Sequence, residues 1–159
     1  MRNIVLTRVD ERLIHGQVMT SWLKLCCANV VLIIDHASAT NAFLRRILFA
    51  AAPKDVELLV MTEADAAAYL KEDSPVGEKV LVLSKTPQPL LAMIQSGVAL
   101  EEVILGNMGG GPGRKRFNKS ISATAEEIQT FRDIIAQGVN VYCQMVPSDS
   151  KEDVKKLLK

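Results

Sequence analysis

The sequence predicts an α/β fold: an open, mostly parallel, twisted sheet of roughly six to seven strands with helices on both faces, in a single domain. Three observations predict it. The chain has 159 residues, the size of one compact domain at about 100–200 residues per domain. Short β-branched runs alternate with longer segments of helical periodicity along the whole length. The strand candidates are almost continuously apolar, as strands covered on both faces must be.

In chain order, the strand candidates are Ile4–Thr7, Val30–Ile34, Glu57–Met61, Lys79–Ser84, Glu102–Leu105 and Val139–Gln144. Helices fill the gaps and carry legible end signals. Val18, Trp22 and Leu25 recur at helical spacing as a core-facing stripe after the first strand. Thr62 with Asp65 and Thr124 with Glu127 fit capping boxes, and Thr86-Pro87 reads as a cap followed by proline at the first helical position. Gly97 and Gly138 stand where such helices stop. Ile128, Phe131, Ile134 and Ile135 mark one apolar helix face, and Ser150 with Asp153 opens a last short helix.

Composition narrows the function classes. With 48% hydrophobic residues, 23% charged residues and a net charge of +1, the chain is too apolar to stay disordered. Balanced charge and 4% aromatic residues argue against nucleic acid as a partner, which calls for a broad positive field or a stacking platform. The longest apolar run, Ala28 to Ile34, is interrupted by Asn29 and falls far short of the roughly 18–20 residues of a membrane span. The first residues are cut off by Arg8 and Asp10 before they reach the length of a secretory signal, so a cytoplasmic location is expected. Cys26, Cys27 and Cys143 are odd in number and lack a C-x-x-C spacing; they read as buried reduced thiols, with no metal site.

Ligand sites in open parallel sheets lie at the carboxyl ends of the strands, here Arg8–His15, Asp35–Thr40, Ser84–Thr86 and Gly106–Asn118. The first of these packs two arginines, two acids and one of two histidines into eight residues. A neutral imidazole is a competent nucleophile toward phosphorus, and phosphoryl transfer asks the rest of the site mainly for positioning and positive charge. His15 is the candidate nucleophile. Arg12 and Arg8 suit the equatorial oxygens, and Asp10 suits orientation of Arg12 or of an imidazole nitrogen. Gly16 clears space beside His15, and the backbone around Ile14, Gly16 and Gln17 opens a helix whose free N–H groups favour an anion. Ser84 and Thr86 end the fourth strand, where their hydroxyls could hydrogen-bond a phosphoryl group, although Thr86 reads better as a helix cap. The bland alternatives are a histidine that merely holds its loop and a salt-bridged cluster of Arg8, Asp10 and Arg12; sequence alone leaves both open.

The run Arg-Val-Asp-Glu-Arg-Leu-Ile-His-Gly-Gln-Val, residues 8–18, resembles the active-site loop of the IIB component of the mannose/fructose/sorbose family of the bacterial phosphoenolpyruvate-dependent sugar phosphotransferase system. The length, the alternating rhythm and the Gly106-Asn107-Met108-Gly109 turn are similar to that family as well. The resemblance implies one phosphotransferase IIB domain over residues 1–159, a protein-N-phosphohistidine sugar phosphotransferase that needs no cofactor. It implies that His15 takes a phosphoryl group on Nδ1 from a phosphorylated IIA protein or domain, with Arg12 stabilising the phosphate and Asp10 orienting the loop. It further implies delivery to a sugar held by membrane IIC and IID subunits, with recruitment to the inner face of the membrane by protein contact. The identity of the sugar and any homo-oligomer stay open.

Two features stand apart from that pattern. Asp35-His36-Ala37 follows the second strand where the family often carries acidic or amide residues and then Glu; His36 reads as a surface loop histidine, with no partner spacing for a metal. The glycine-rich stretch Gly106–Gly113, followed by Arg114, Lys115 and Arg116, lacks the spacing of a phosphate-binding loop. It reads as a flexible turn with a basic rim for an acidic partner. The alternative reading is a non-enzymatic nucleotide- or anion-binding module that uses this loop.

Overall fold

The computed structural model describes residues 1–158, apart from the side chains of Gln17 and Val18. Its elements in chain order are β1 (Ile4–Asp10), α1 (Gly16–Cys26), β2 (Val30–Ile34), α2 (His36–Thr40), α3 (Ala42–Ala51), β3 (Glu57–Met61), α4 (Glu63–Lys71), β4 (Val80–Ser84), α5 (Gln88–Gln95), β5 (Glu102–Asn107), β6 (Lys115–Asn118), β7 (Ile121–Ala123), α6 (Ala125–Ala136), β8 (Asn140–Cys143), β9 (Glu152–Asp153) and α7 (Val154–Leu157). Seven strands form one sheet in the order β3-β2-β4-β1-β5-β8-β9, parallel except for β9, which pairs antiparallel with β8. The expected α/β class, strand number and mostly parallel pairing are therefore present.

Alternation within the strands divides the core. Val30, Leu32 and Ile34 pack with Leu70, Leu90, Met93, Phe131 and Ile134, whereas Val31 and Ile33 pack with Met19, Leu23 and Leu48. Helices α1 to α3 thus cover one face of the sheet and α4 to α7 the other, which is why β2 and β4 are buried at every position. Helix ends follow their local chemistry. Thr124 and Glu127 form the reciprocal capping box of α6, and Thr62 accepts a hydrogen bond from the Asp65 N–H at the start of α4. Gly97 and Gly138 take left-handed conformations, with φ of 95° and 87°, that a side chain would resist.

Several sequence expectations need correction. β1 does not end at Thr7 but continues through Asp10, because Arg8 and Asp10 compensate each other's charge and can pair between β4 and β5. The stretch Gly106–Asn118 is not one loop: β5 runs into it, and its end forms a hairpin with β7. That hairpin closes on an Asx turn in which Asn118 Oδ1 accepts from the Ser120 N–H, and its exposed Lys115 and Arg116 give no apolar signal. α5 is preceded by Pro87 and has no side-chain cap, so Thr86 caps nothing. The last helix is capped by Asp153, not Ser150. Trp22 is buried as expected, but Leu25 is 63% exposed; Val18 of the same stripe lies outside the described side chains. Among the cysteines Cys143 is buried, Cys26 half-buried and Cys27 exposed.

Two outcomes check this architecture. Thr124→Ala removes half of the capping box and should lower the unfolding free energy by about 1 kcal/mol in a denaturant titration. Burial pushes the Cys143 thiol up to about 12, so at pH 8 a thiol reagent should modify exposed Cys27 while Cys143 reacts only as the protein unfolds.

Candidate functional site

The connection after β1 leads to α1 on one face of the sheet, whereas those after β4 and β5 lead to helices on the other. The strands flanking β1 are β4 and β5, so the carboxyl end of β1 is the point where neighbouring connections diverge and a crevice can open. Asp10 is the last residue of β1 and has no exposed surface. Its Oδ1 accepts from the Arg12 backbone N–H and from Arg12 Nε, both at 3.1 Å, and its Oδ2 accepts from Arg12 Nη2 at 3.1 Å. A forked guanidinium on a planar carboxylate is the geometry in which arginine binds most strongly. Arg12 itself stays 37% exposed and keeps three of its five N–H donors for another anion.

The chain then turns sharply. The Leu13 N–H donates to the Asp10 carbonyl at 3.0 Å, and Leu13 adopts φ of 55°, a left-handed conformation that costs a leucine about 1–2 kcal/mol. This turn aims the Leu13 carbonyl at His15, whose Nδ1 lies 2.9 Å away. A carbonyl can only accept, so the neutral ring carries its proton on Nδ1 and its lone pair on Nε2. Nε2 is buried without a hydrogen-bond partner and sits 4.0 Å from Asp10 Oδ2. His15 is also the residue from which α1 springs, in extended conformation. Its side chain is 21% exposed and opens on a groove of about 480 Å³ between α1 and the end of α3, lined by Ile14, Gly16, Met19, Thr20, Lys24, Ala51 and Pro53 among others.

Arg8 takes a different position from the one its sequence context suggests. It is fully buried, and its Nη1 and Nη2 donate to the Gln144 and Met145 carbonyls at 2.9 and 2.8 Å. Nη2 also lies 3.4 Å from Asp10 Oδ2, and the guanidinium stacks over Trp22, whose Nε1 donates to the same Met145 carbonyl at 3.0 Å. Burial pulls Arg8 down to about 10, with the neighbouring Asp10 charge acting against that fall, so it remains cationic at neutral pH. Arg8 thus supports Asp10 from inside the fold and is not brought to the groove. Gly106 leaves the room this arginine takes: a Cβ there would collide with the Arg8 guanidinium.

The other sequence candidates separate. Ile14 and Gly16 line the groove with His15, while the side chain of Gln17 lies outside the described residues. Ser84 is buried and donates its hydroxyl to the Thr86 carbonyl at 2.7 Å, which commits it inside the fold. Lys115 and Arg116 stand exposed on β6, and Arg116 donates to the Asn118 and Lys119 carbonyls. Arg114 instead turns inward: its Nη1 donates to the Gly109 carbonyl at 2.7 Å and pairs with Glu11 at 3.2 Å, and its Nε lies 3.5 Å from Glu127. Space at Gly106 and Gly109 is occupied by Arg8 and Glu11, which disfavours an anion cradle in this loop. His36 is exposed at the start of α2. No group of three His, Cys, Asp or Glu side chains suited to a metal occurs among the described residues. Sequence reasoning did not single out Glu11 or the Gln144-Met145 carbonyls, and it read Glu127 only as a helix cap and Gly106 only as part of a glycine-rich turn; of these only Gly106, a glycine following an apolar strand run, carried a signal of close approach.

Comparison with known proteins gives concordant matches across the chain. Residues 4–159 match the family described as PTS system sorbose subfamily IIB component. The fructose-specific EIIB component of Bacillus subtilis is 28% identical over the whole of this chain and 98% of its own length. N-acetylgalactosamine-specific phosphotransferase enzyme IIB component 2 of Escherichia coli is 31% identical, with 99% of this chain and all of the relative covered. The crystal structure of the IIBSor domain of the sorbose permease from Klebsiella pneumoniae superposes with a TM-score of 0.92 at 31% identity, covering 98% of this chain and 96% of that one.

Gly106→Ala tests the buried arginine. The new methyl collides with a guanidinium that has nowhere to go, and should cost about 1–3 kcal/mol of stability in chemical denaturation. Gly110→Ala meets no atom within 4 Å and should stay within about 0.5 kcal/mol of the parent.

Proposed function

This chain belongs to the sorbose subfamily of IIB components of the phosphotransferase system, and we propose that it accepts a phosphoryl group on His15 from a phosphohistidine of a IIA partner and passes it to a sugar during uptake. IIB components are phosphotransferases of sugar transport, so the proposal concerns which residues do the work and in what order. The observation that carries it is the convergence at the end of β1: a histidine open to a groove, a buried carboxylate 4.0 Å from its ring, and an arginine fixed on that carboxylate with donors to spare.

In the resting ring Nδ1 is tied to Leu13, and Nε2 holds the lone pair beside Asp10. A turn of the ring that brings Nε2 to hydrogen-bond length of Asp10 also carries Nδ1 off the Leu13 carbonyl; Nδ1 gives its proton to water, Nε2 takes one from water and donates it to Asp10, and the Nδ1 lone pair becomes the nucleophile. Such contacts are commonly long before substrate arrives and tighten with it. The Nδ1 lone pair then forms a bond to phosphorus as the P–N bond to the IIA imidazole breaks, and that bond's electrons return to the departing ring. Charge on the equatorial oxygens is met by the free donors of Arg12 and by the N–H groups at the start of α1. In the second step a sugar hydroxyl attacks the same phosphorus and His15 leaves.

The sugar is bound by the membrane IIC and IID subunits, and this chain works at the cytoplasmic face, held there by protein contacts. No helix among the described residues is long and apolar enough to cross a membrane.

The test uses phosphoenolpyruvate, the general phosphocarrier proteins and a IIA partner. The protein should take up one acid-labile, base-stable phosphoryl label. His15→Ala should take up none, and Arg12→Ala should slow the transfer about a hundredfold. A label of full intensity on His15→Ala would refute the proposal.

A further inference from the structure

We infer that Arg114 and Glu11 form a latch that positions the His15 loop from outside, a role that rests on the phosphocarrier reading above and lies beyond it. The Asp10-Arg12 pair fixes the inner side of the loop, but the residue between them, Glu11, points to another partner. Its carboxylate receives Arg114 Nη1 at 3.2 Å and Asn107 Nδ2 at 3.3 Å, and its own N–H donates to the Asn107 carbonyl at 3.0 Å. Arg114 in turn is held by the Gly109 carbonyl at 2.7 Å and lies 3.5 Å from Glu127, a carboxylate 4% exposed at the start of α6 whose Oε2 has no partner. The glycine-rich stretch is therefore tied at one end to the phosphoryl-acceptor loop and at the other to the helix that carries Phe131 and Ile134 into the core.

The loop has reason to need such a tie. Two residues beyond Glu11, Leu13 holds its left-handed conformation, and strained backbone persists only where its surroundings over-determine it. The carbonyl of that strained residue accepts the His15 Nδ1–H, so slackening at Glu11 is transmitted to the ring that must exchange Leu13 for Asp10. Arg114 and Glu11 are positioning residues: neither touches the phosphoryl group. An aligned nucleophile is worth a great deal, and displacement by about 1 Å costs on the order of a hundredfold in rate.

Gly109 offers a way to open the latch without deleting a charge. A Cβ there would stand 2.6 Å from Glu11 Oε1, and the free end of that side chain can move aside at little cost to the fold. Phosphorylation of Gly109→Ala, Arg114→Met and the double variant by phospho-IIA should show kcat reduced about tenfold to a hundredfold with KM for phospho-IIA unchanged. The double variant should be no slower than the slower single one, because both changes undo one contact. Arg114→Lys should recover part of the rate. In nitrogen-15 spectra of the unphosphorylated protein, the His15 Nδ1 signal should shift in Gly109→Ala. A labelled wild type with unchanged kcat in Gly109→Ala, a rise in KM alone, or additive losses would overturn the latch and leave the phosphocarrier reading standing. A wild type that takes up no label would overturn both.

Discussion

A carboxylate with no exposed surface, Asp10, is the constraint on which the site depends. Stripping water from an isolated carboxylate is prohibitive, and the fold meets that requirement with two guanidiniums, Arg12 at 3.1 Å and Arg8 at 3.4 Å. Arg8 is itself buried and must be satisfied in turn, by the Gln144 and Met145 carbonyls and the face of Trp22. A chain of obligations thus runs from the end of β8 and the middle of α1 through β1 to the loop that holds His15. Gly106 is one more consequence, since the guanidinium occupies the space where a side chain would be.

That arrangement separates tasks that the sequence presents together. Of the two arginines in the first loop, one is structural and one is available: Arg8 directs its Nη donors inside the molecule, while Arg12 keeps three beyond the pair it lends to Asp10. Asp10 likewise serves twice, fixing Arg12 and offering a second hydrogen-bond partner to an imidazole that rests on Leu13. A ring with one acceptor beside each nitrogen can hold its proton on either, which is what the proposed change of tautomer requires.

Much of this was legible in the order of residues, and for physical reasons. Continuous apolar runs made β2 and β4 visible as doubly covered strands, and the Thr124-Glu127 spacing located the start of α6, because each is a local requirement written in local sequence. The density of charge around His15 pointed to the loop in which Asp10, Arg12 and His15 converge. What stayed hidden depends on partners distant in the chain. Arg8 meets Gln144 and Met145 across 136 and 137 residues, and no nearby residue announces that a charged side chain will be sealed under a strand. The β6–β7 hairpin is three to four residues a side and mostly polar, so its periodicity is too short to read. Arg114 looked like its neighbours Lys115 and Arg116 on a basic rim; only the tertiary approach of Glu11 and Glu127 sets it apart.

The central claim is that Asp10 and Leu13 compete for the ring protons of His15 and so decide which nitrogen attacks. Phosphorus-31 and nitrogen-15 spectra of the phosphorylated protein address it directly. The account predicts phosphorus bonded to Nδ1 with a proton on Nε2, and a mixture or loss of that species in Asp10→Asn. Phosphorus on Nε2, with Nδ1–H still held by Leu13, would contradict it.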